Sequence, residues 1–256
     1  MWNSLADIAQ LLIITIVAYV YFGYPVMLWL LASRRAPEWP LSSGQAPSVT
    51  LIITARNEAD IMERKLQNAL QLKYPFGELS IVVASDASDD GTDEIVERYH
   101  DYGVRLFRMP ERMGKTPTLS KAVQDTESEI IAFSDANAMY APDAVQYLVA
   151  PFCDSEVGSV CGKLGYLNQE DTSISQGERL YWNYENQLKQ LESRFNSLIG
   201  ANGSIYTLRR SAFTTIDPDL SDDLGLPLAA YARGFRVVYQ PEALSTEEAP
   251  NSALTG

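Results

Sequence analysis

The chain has 256 residues, 46% hydrophobic and 21% charged, with a formal net charge of −13. That length has room for one sizeable α/β domain with an appendage. The acidic balance argues against general nucleic-acid binding, which needs a basic face for the phosphates. It does not exclude a small anionic ligand, because a metal ion or a few well-placed cations reverse the local field. Cys153 and Cys161 are the only cysteines; too few for a disulfide framework and without zinc-site spacing, they read as core or near-core thiols in a reducing compartment. His100, the single histidine, lies in a polar stretch and reads as a surface residue.

No charged residue occurs from Ile8 to Ser33, and Leu11 to Leu31 is mostly Leu, Ile, Val and aromatics. Roughly 20 apolar residues span a bilayer core, and the start carries Asp7 and no cation, unlike a secretory signal. Arg34-Arg35 follow, and by the positive-inside rule that end faces the cytoplasm. Trp2, Tyr24 and Trp29 are expected interfacial anchors, and Pro25 a kink or a break. The expectation is a membrane anchor over residues 1–36, with a buried helix of a soluble domain as the alternative. Residues 37–47, rich in Pro, Ser and Gly, read as a linker, leaving 48–256 as the globular part, on the cytoplasmic side.

From there apolar runs alternate with helical periodicity. Val49 to Thr54 predicts a buried strand, Asp60 to Leu72 a helix, and Ile81 to Ala84 a second strand. Asp89-Asp90-Gly91-Thr92 reads as a turn into a helix with Ile95, Val96 and Tyr99 on one face. Val104 to Arg108 is a third strand, Thr118 to Val123 the beginning of another helix, and Ile130 to Phe133 a fourth strand. Further on, Asp143 to Phe152 predicts a helix and Val157 to Leu164 a strand. Leu180, Tyr184, Leu188, Leu191 and Phe195 mark a long amphipathic helix, its stripe more in keeping with core than with an acceptor groove. Ser204 to Leu208 (strand), Leu224 to Ala232 (helix) and Phe235 to Tyr239 (strand) complete the series. Such alternation means βαβ units in a mixed, mostly parallel sheet flanked by helices.

Three of these strands reach polar groups just past their ends: Asn57-Glu58 after the first, Asp86 after the second, and Asp135-Ala136-Asn137 after the fourth. In open α/β sheets ligands bind in the crevice beyond the carboxyl ends of the strands. Neither a Gly-x-Gly-x-x-Gly nor a Walker A sequence is present, which argues against a dehydrogenase or a P-loop enzyme. The groups that are present suit a nucleoside diphosphate. Asp86 accepts a hydrogen bond from a base or ribose. Asp135 and Asn137 offer hard oxygens of the kind that Mg²⁺ takes together with substrate phosphates, and Arg112 and Lys115 flank Gly114 with positive charge.

At these residues the chain resembles a family-2 glycosyltransferase, inverting, of the GT-A fold. The resemblance runs through Ile53-Thr54-Ala55-Arg56-Asn57-Glu58, Ser85 to Thr92, Arg112-Met113-Gly114-Lys115 and Ser134-Asp135-Ala136-Asn137. It continues in Gly203-Ser204-Ile205-Tyr206 with Arg209-Arg210, and in Ser221-Asp222-Asp223-Leu224. It implies that Thr54, Arg56 and Glu58 line a nucleotide pocket, with Lys115 nearby and Asp86 on the base, usually uracil. It implies that Asp135 and Asn137 stand in the Asp-x-Asp motif for ribose and a diphosphate-bound Mg²⁺ or Mn²⁺, and that Asp223 is the general base. The partners implied are a nucleotide-sugar donor, UDP-linked, and a glycan or lipid-linked acceptor at the membrane.

Two departures accompany the resemblance. Asn137 replaces the second acid of the motif, keeping an oxygen and losing a charge. Neither the Gln-x-x-Arg-Trp motif of processive synthases nor C-terminal membrane helices occur, so the expectation is a sequence truncated at its C-terminus; Ala249 to Gly256 carries no terminating pattern. Within the acidic pair, Asp222 is expected as the helix cap and Asp223 as the inward residue. The competing functions are a sugar nucleotidyltransferase and a non-catalytic nucleotide-sugar-binding subunit of a membrane polysaccharide complex.

Overall fold

The computed structural model describes residues 5–32, 39–41, 46–75, 77–166 and 176–248. Trp2, Arg34-Arg35 and Ala249 to Gly256 lie outside the described residues, as does most of the expected linker.

Ala6–Leu31 is helical throughout, 26 residues long with a mean hydropathy of 2.1 and 6% of its most apolar stretch buried. Its length and composition are enough to cross a membrane, and its exposure does not match a core helix. It comprises α1 (Leu5–Ala18), a π-helical turn (Tyr19–Gly23) and α2 (Tyr24–Leu31). Pro25 therefore does not divide the helical run in two. Proline has no N–H to offer the Tyr21 carbonyl, and its ring crowds the preceding turn. The widened turn absorbs the misfit, with the Tyr24 N–H bonded five residues back to the Tyr19 carbonyl.

The strands are β1 (Val49–Ala55), β2 (Leu79–Ser85), β3 (Val104–Arg108), β4 (Ile130–Asp135), β5 (Met139–Tyr140), β6 (Val157–Tyr166), β7 (Tyr206–Arg209) and β8 (Arg236–Glu247). Among the described residues they form one eight-stranded sheet in the order β3-β2-β1-β4-β7-β6-β8-β5. β3, β2, β1 and β4 run parallel, whereas β7 is antiparallel to both β4 and β6. The helices of the globular part are α3 (Ala59–Leu70), α4 (Thr92–Glu97), α5 (Lys115–Gln124), α6 (Ala144–Val149), α7 (Gln176–Phe195) and α8 (Asp222–Ala232).

β1 is central and buried on both faces, which is why it reads as an unbroken apolar run. Leu51 and Ile53 join Met62 and Leu66 of α3 in one core cluster. Ile52 faces the other way, into a cluster with Leu119, Ala122 and Val123 of α5 and with the stacked pair Phe133–Tyr206, ring centroids 4.5 Å apart. The sheet thus carries a helical layer on each face, and the carboxyl ends of β1, β2 and β4 emerge side by side.

Several expectations need correction. β5 escaped the pattern because two residues are too short to show a period, and β8 extends well past Tyr239 because its distal half pairs with β6 and β5. Cys161 is buried but Cys153 is exposed, because the predicted helix ends at Val149 and continues as a 3₁₀ turn through Pro151. The α7 stripe is not core. Leu180 and Phe195 are exposed and Tyr184, Leu188 and Leu191 only half-buried, because α7 turns part of its surface toward the N-terminal helix instead of the sheet. Tyr24 donates to Glu192 at 2.8 Å, and the Tyr184 hydroxyl lies 3.3 and 3.4 Å from the Val20 and Tyr21 carbonyls.

Leu66 is fully buried between α3 and the sheet. Leu66→Ala is expected to lower stability by about 2–5 kcal/mol, measured by denaturant unfolding of the detergent-solubilised chain.

Candidate active site

A cavity of about 320 Å³ opens at the carboxyl ends of β1, β2 and β4, lined by residues that include Thr54, Arg56, Glu58, Asp86, Lys115, Asp135 and Asn137. Residues separated by more than eighty positions along the chain meet here. The loops beneath them are fastened to each other. The Asn57 side chain exchanges two hydrogen bonds with Asp89, at 2.8 and 3.1 Å. Asp90 accepts from the Ala59 N–H at the start of α3, and Thr92 from that of Glu58. The Asp89 to Thr92 motif therefore works as a buckle between the loops. Arg56 donates to the Asp86 carbonyl at 2.9 Å and to that of Ala87, which is aimed inward because Ala87 adopts a left-handed backbone, φ 53°. That conformation costs a residue with a Cβ roughly 1–2 kcal/mol.

Asp86 is 5% exposed. One of its oxygens accepts from the Met113 N–H at 2.7 Å and the Thr118 hydroxyl at 3.1 Å, the other from the Gly114 N–H at 3.0 Å. It both walls the cavity and holds the loop that delivers Lys115. Gly114 in that loop has φ 93°, a conformation glycine adopts without strain.

Lys115 stands at the centre, its Nζ 2.6 Å from Asp135 Oδ1 and 3.4 Å from Asp222 Oδ1. Burial works against its charge, but the carboxylates of Asp222 and Asp135 outweigh it and push its pKa up. Thr54 also donates to Asp135, at 3.3 Å. Glu58 titrates higher than usual, first through burial and then through repulsion from Asp135 and Asp90. Charge of one sign is crowded here, and a cation is favoured.

The acidic pair departs from the sequence expectation, because Ser221 and not Asp222 is the N-cap of α8. Asp222 is the inward residue, 2% exposed, accepting from the Tyr206 hydroxyl at 2.6 Å. Asp223 is half-buried and lines a second cavity of about 390 Å³ with Trp182, Glu185, Lys189 and Asn202. The reason is helical geometry: successive residues at the start of α8 point about 100° apart, and only one can face Tyr206. Asp223 leans on Gly203, where an added Cβ would lie 3.1 Å from its Oδ2. α7 bounds the second cavity through Trp182, Glu185, Lys189 and Glu192, not through the apolar stripe of Leu180, Tyr184, Leu188, Leu191 and Phe195.

Other motif residues are not in the site. Arg209 donates to the Phe152, Asp154 and Val157 carbonyls, and Arg210 to those of Val123 and Ser128, so both tie neighbouring segments together. Arg112 is exposed and does not line the first cavity. His100 is a surface residue as expected, its side chain 76% exposed. Sequence reading missed Tyr206, whose signal, a tyrosine within an apolar strand, does not separate a core ring from a hydroxyl aimed at Asp222. Among the described residues no three His, Cys, Asp or Glu side chains cluster as a metal site. Asp135 and Asn137 nevertheless form an oxygen pair of the type that Mg²⁺ or Mn²⁺ shares with phosphates, and the Lys115 ammonium marks where positive charge is favoured beside Asp135.

Asp222 is held above its usual range by burial, which Lys115 and Tyr206 only partly offset. An acid whose folded pKa exceeds its unfolded one stabilises the fold at low pH, and that contribution is lost as pH rises through the folded pKa. Asp222→Asn is therefore expected to make the slope of stability against pH more positive just above the ordinary value of 3.8, read from unfolding midpoints of both proteins.

The sequence model described as "Glycosyl transferase family 2" matches residues 50–216. The chain is 25% identical over 234 residues to a probable glycosyltransferase, YdaM, of Bacillus subtilis, covering 86% of this chain and 55% of that protein. It is 23% identical over 232 residues to a poly-beta-1,6-N-acetyl-D-glucosamine synthase of Staphylococcus aureus, covering 88% and 55%. The chain thus spans about half the length of these curated relatives. Among solved structures, a mannosyltransferase of Pyrobaculum calidifontis in complex with GDP-Man and Mn²⁺ superposes with a TM-score of 0.73 at 24% identity, covering 93% of this chain and 68% of that one. A complex of S. aureus TarS with UDP gives 0.59 at 14% identity, covering 79% and 60%. The fold is GT-A-like, and with a family match over most of its globular part the chain belongs to glycosyl transferase family 2.

Proposed function

We propose that the chain is the catalytic part of an inverting glycosyltransferase that takes a sugar from a UDP-sugar and passes it to a glycan or lipid-linked acceptor at the cytoplasmic face of a membrane. The observation that carries this reading is that Lys115, which lines the first cavity with Asp86 and Asp135, reaches Asp222, the residue next to the Asp223 that lines the second.

The nucleotide lies in the first cavity against Thr54, Arg56 and Glu58. Asp86 spends three of its carboxylate lone pairs on its own loop, and the remaining one accepts the N–H of the base. Asp135 and Asn137 would hold Mg²⁺ or Mn²⁺, which when bound would supply Lewis acidity to the diphosphate leaving group. Lys115 lies where negative charge grows as the glycosidic bond to phosphate breaks, and its raised pKa keeps it protonated for that task. The acceptor hydroxyl enters from the second cavity. Asp223 takes its proton as the oxygen attacks the anomeric carbon from the side opposite the diphosphate, which inverts the configuration.

The apolar helix Ala6–Leu31 is the anchor in this reading, and residues 48–256 the transferase domain. The family match favours transfer over nucleotidyl chemistry, and the cavity at Asp223 gives an acceptor a place that a mere sensor of nucleotide-sugars does not need.

A donor screen that measures nucleotide release with and without Mn²⁺ tests this directly; UDP-sugars are expected to be turned over, and binding of none of them in millimolar metal overturns the reading. Asp223→Asn is expected to lower kcat by about 10²–10⁴-fold while the UDP affinity stays within about threefold. Unchanged turnover removes Asp223 from the base role. Gly203→Ala displaces the same carboxylate through the 3.1 Å approach, and kcat is expected to fall with little change in the KM for donor.

A further inference from the structure

Lys65 is buried, 1% exposed, and makes no ion pair with a carboxylate among the described residues. An ammonium taken out of water is costly unless its donors are satisfied, so its partners define what it is for. It projects from α3 toward the turn that leaves β4, donating to Ser134 Oγ at 2.7 Å and to the Ala138 carbonyl. These two residues bracket Asp135-Ala136-Asn137. The ammonium also lies 5.0 Å from the centroid of the Tyr140 ring. One helical turn on, Asn68 accepts from the Tyr140 N–H at 2.9 Å and donates to the Tyr140 carbonyl at 2.8 Å. Lys65 and Asn68 thus fasten the turn from behind at both ends. Burial lowers the Lys65 pKa to about 7, opposed by the field of Asp135 and then Glu247.

Glu247, at the end of β8, completes the arrangement from the side. One of its oxygens accepts from Asn137 Nδ2 at 3.4 Å and the other from the Ser204 hydroxyl. With the amide nitrogen directed at Glu247, Asn137 Oδ1 is the atom left for a cation. An aspartate needs no such help, because its two oxygens are equivalent. An asparagine does, since its nitrogen cannot serve as a ligand.

We propose that Lys65 and Glu247 are positioning residues for the cation-binding turn, Lys65 clamping Ser134 to Ala138 and Glu247 orienting the Asn137 amide so that its oxygen faces the cavity. The proposal rests on reading this cavity as the site of a diphosphate and its divalent ion. Partners that orient metal ligands typically change metal affinity by 10–100-fold when removed.

The test uses the full chain in detergent, with Mn²⁺ binding followed by electron paramagnetic resonance at saturating UDP, and metal-free UDP binding measured separately by calorimetry. Lys65→Met is expected to weaken Mn²⁺ at least about tenfold while metal-free UDP binding stays within about twofold. Glu247→Ala is expected to weaken Mn²⁺ similarly in the native background but to have little effect in an Asn137→Asp background, where no amide remains to be oriented. Wild-type Mn²⁺ affinity in a folded Lys65→Met protein overturns the clamp. An equal loss from Glu247→Ala in both backgrounds, or no loss in either, overturns the orienting role, and this arm stands even if Lys65→Met fails to fold. Failure of the wild-type chain to bind UDP and Mn²⁺ at all strikes the donor-site reading and takes the inference with it.

Discussion

Carboxylates gathered at one edge of a sheet repel each other, and in a chain of net charge −13 no general positive field relieves them. The relief is local. Lys115 sits between Asp135 and Asp222, within 2.6 and 3.4 Å, and through it the loop before α5 is held against both the end of β4 and the start of α8. Asp135 and Asp222 are thus drawn to one ammonium on that loop. Asp86 holds that loop by its backbone, so a single carboxylate shapes the cavity without using all of its hydrogen-bonding capacity.

The two halves of the sheet divide the labour. The parallel strands β2, β1 and β4 present their carboxyl ends to the proposed donor cavity. The antiparallel strand β7 starts just after the Asn202–Ile205 bridge, the loop that carries Gly203 against Asp223. The acidic helix start therefore reaches the cavity edge from the other half of the sheet, and the Tyr206–Asp222 hydrogen bond couples the halves in the interior.

Much of this was legible in the residues. Val49 to Thr54 and Ile130 to Phe133 read as buried strands because parallel strands covered on both faces carry unbroken apolar runs, and the polar groups past their ends marked the crevice. Local pattern does not encode which of two adjacent acids turns inward; that choice belongs to Tyr206, far away in sequence, and to the phase of α8. Lys65 was equally hidden. A lysine on an amphipathic helix reads as solvated, and only the fold brings a polar turn into its reach. The α7 stripe misled for the opposite reason, since periodicity reports an apolar face but not whether sheet, cavity or another helix lies against it.

The widened turn before Pro25 has an effect beyond accommodating an imino acid. By leaving the Tyr21 carbonyl without its usual donor, it supplies an acceptor for the Tyr184 hydroxyl of α7, beside the Tyr24–Glu192 bond. An alanine at position 25 would bring back an N–H that competes for that oxygen, and the apolar stalk would loosen its hold on the wall of the Asp223 cavity.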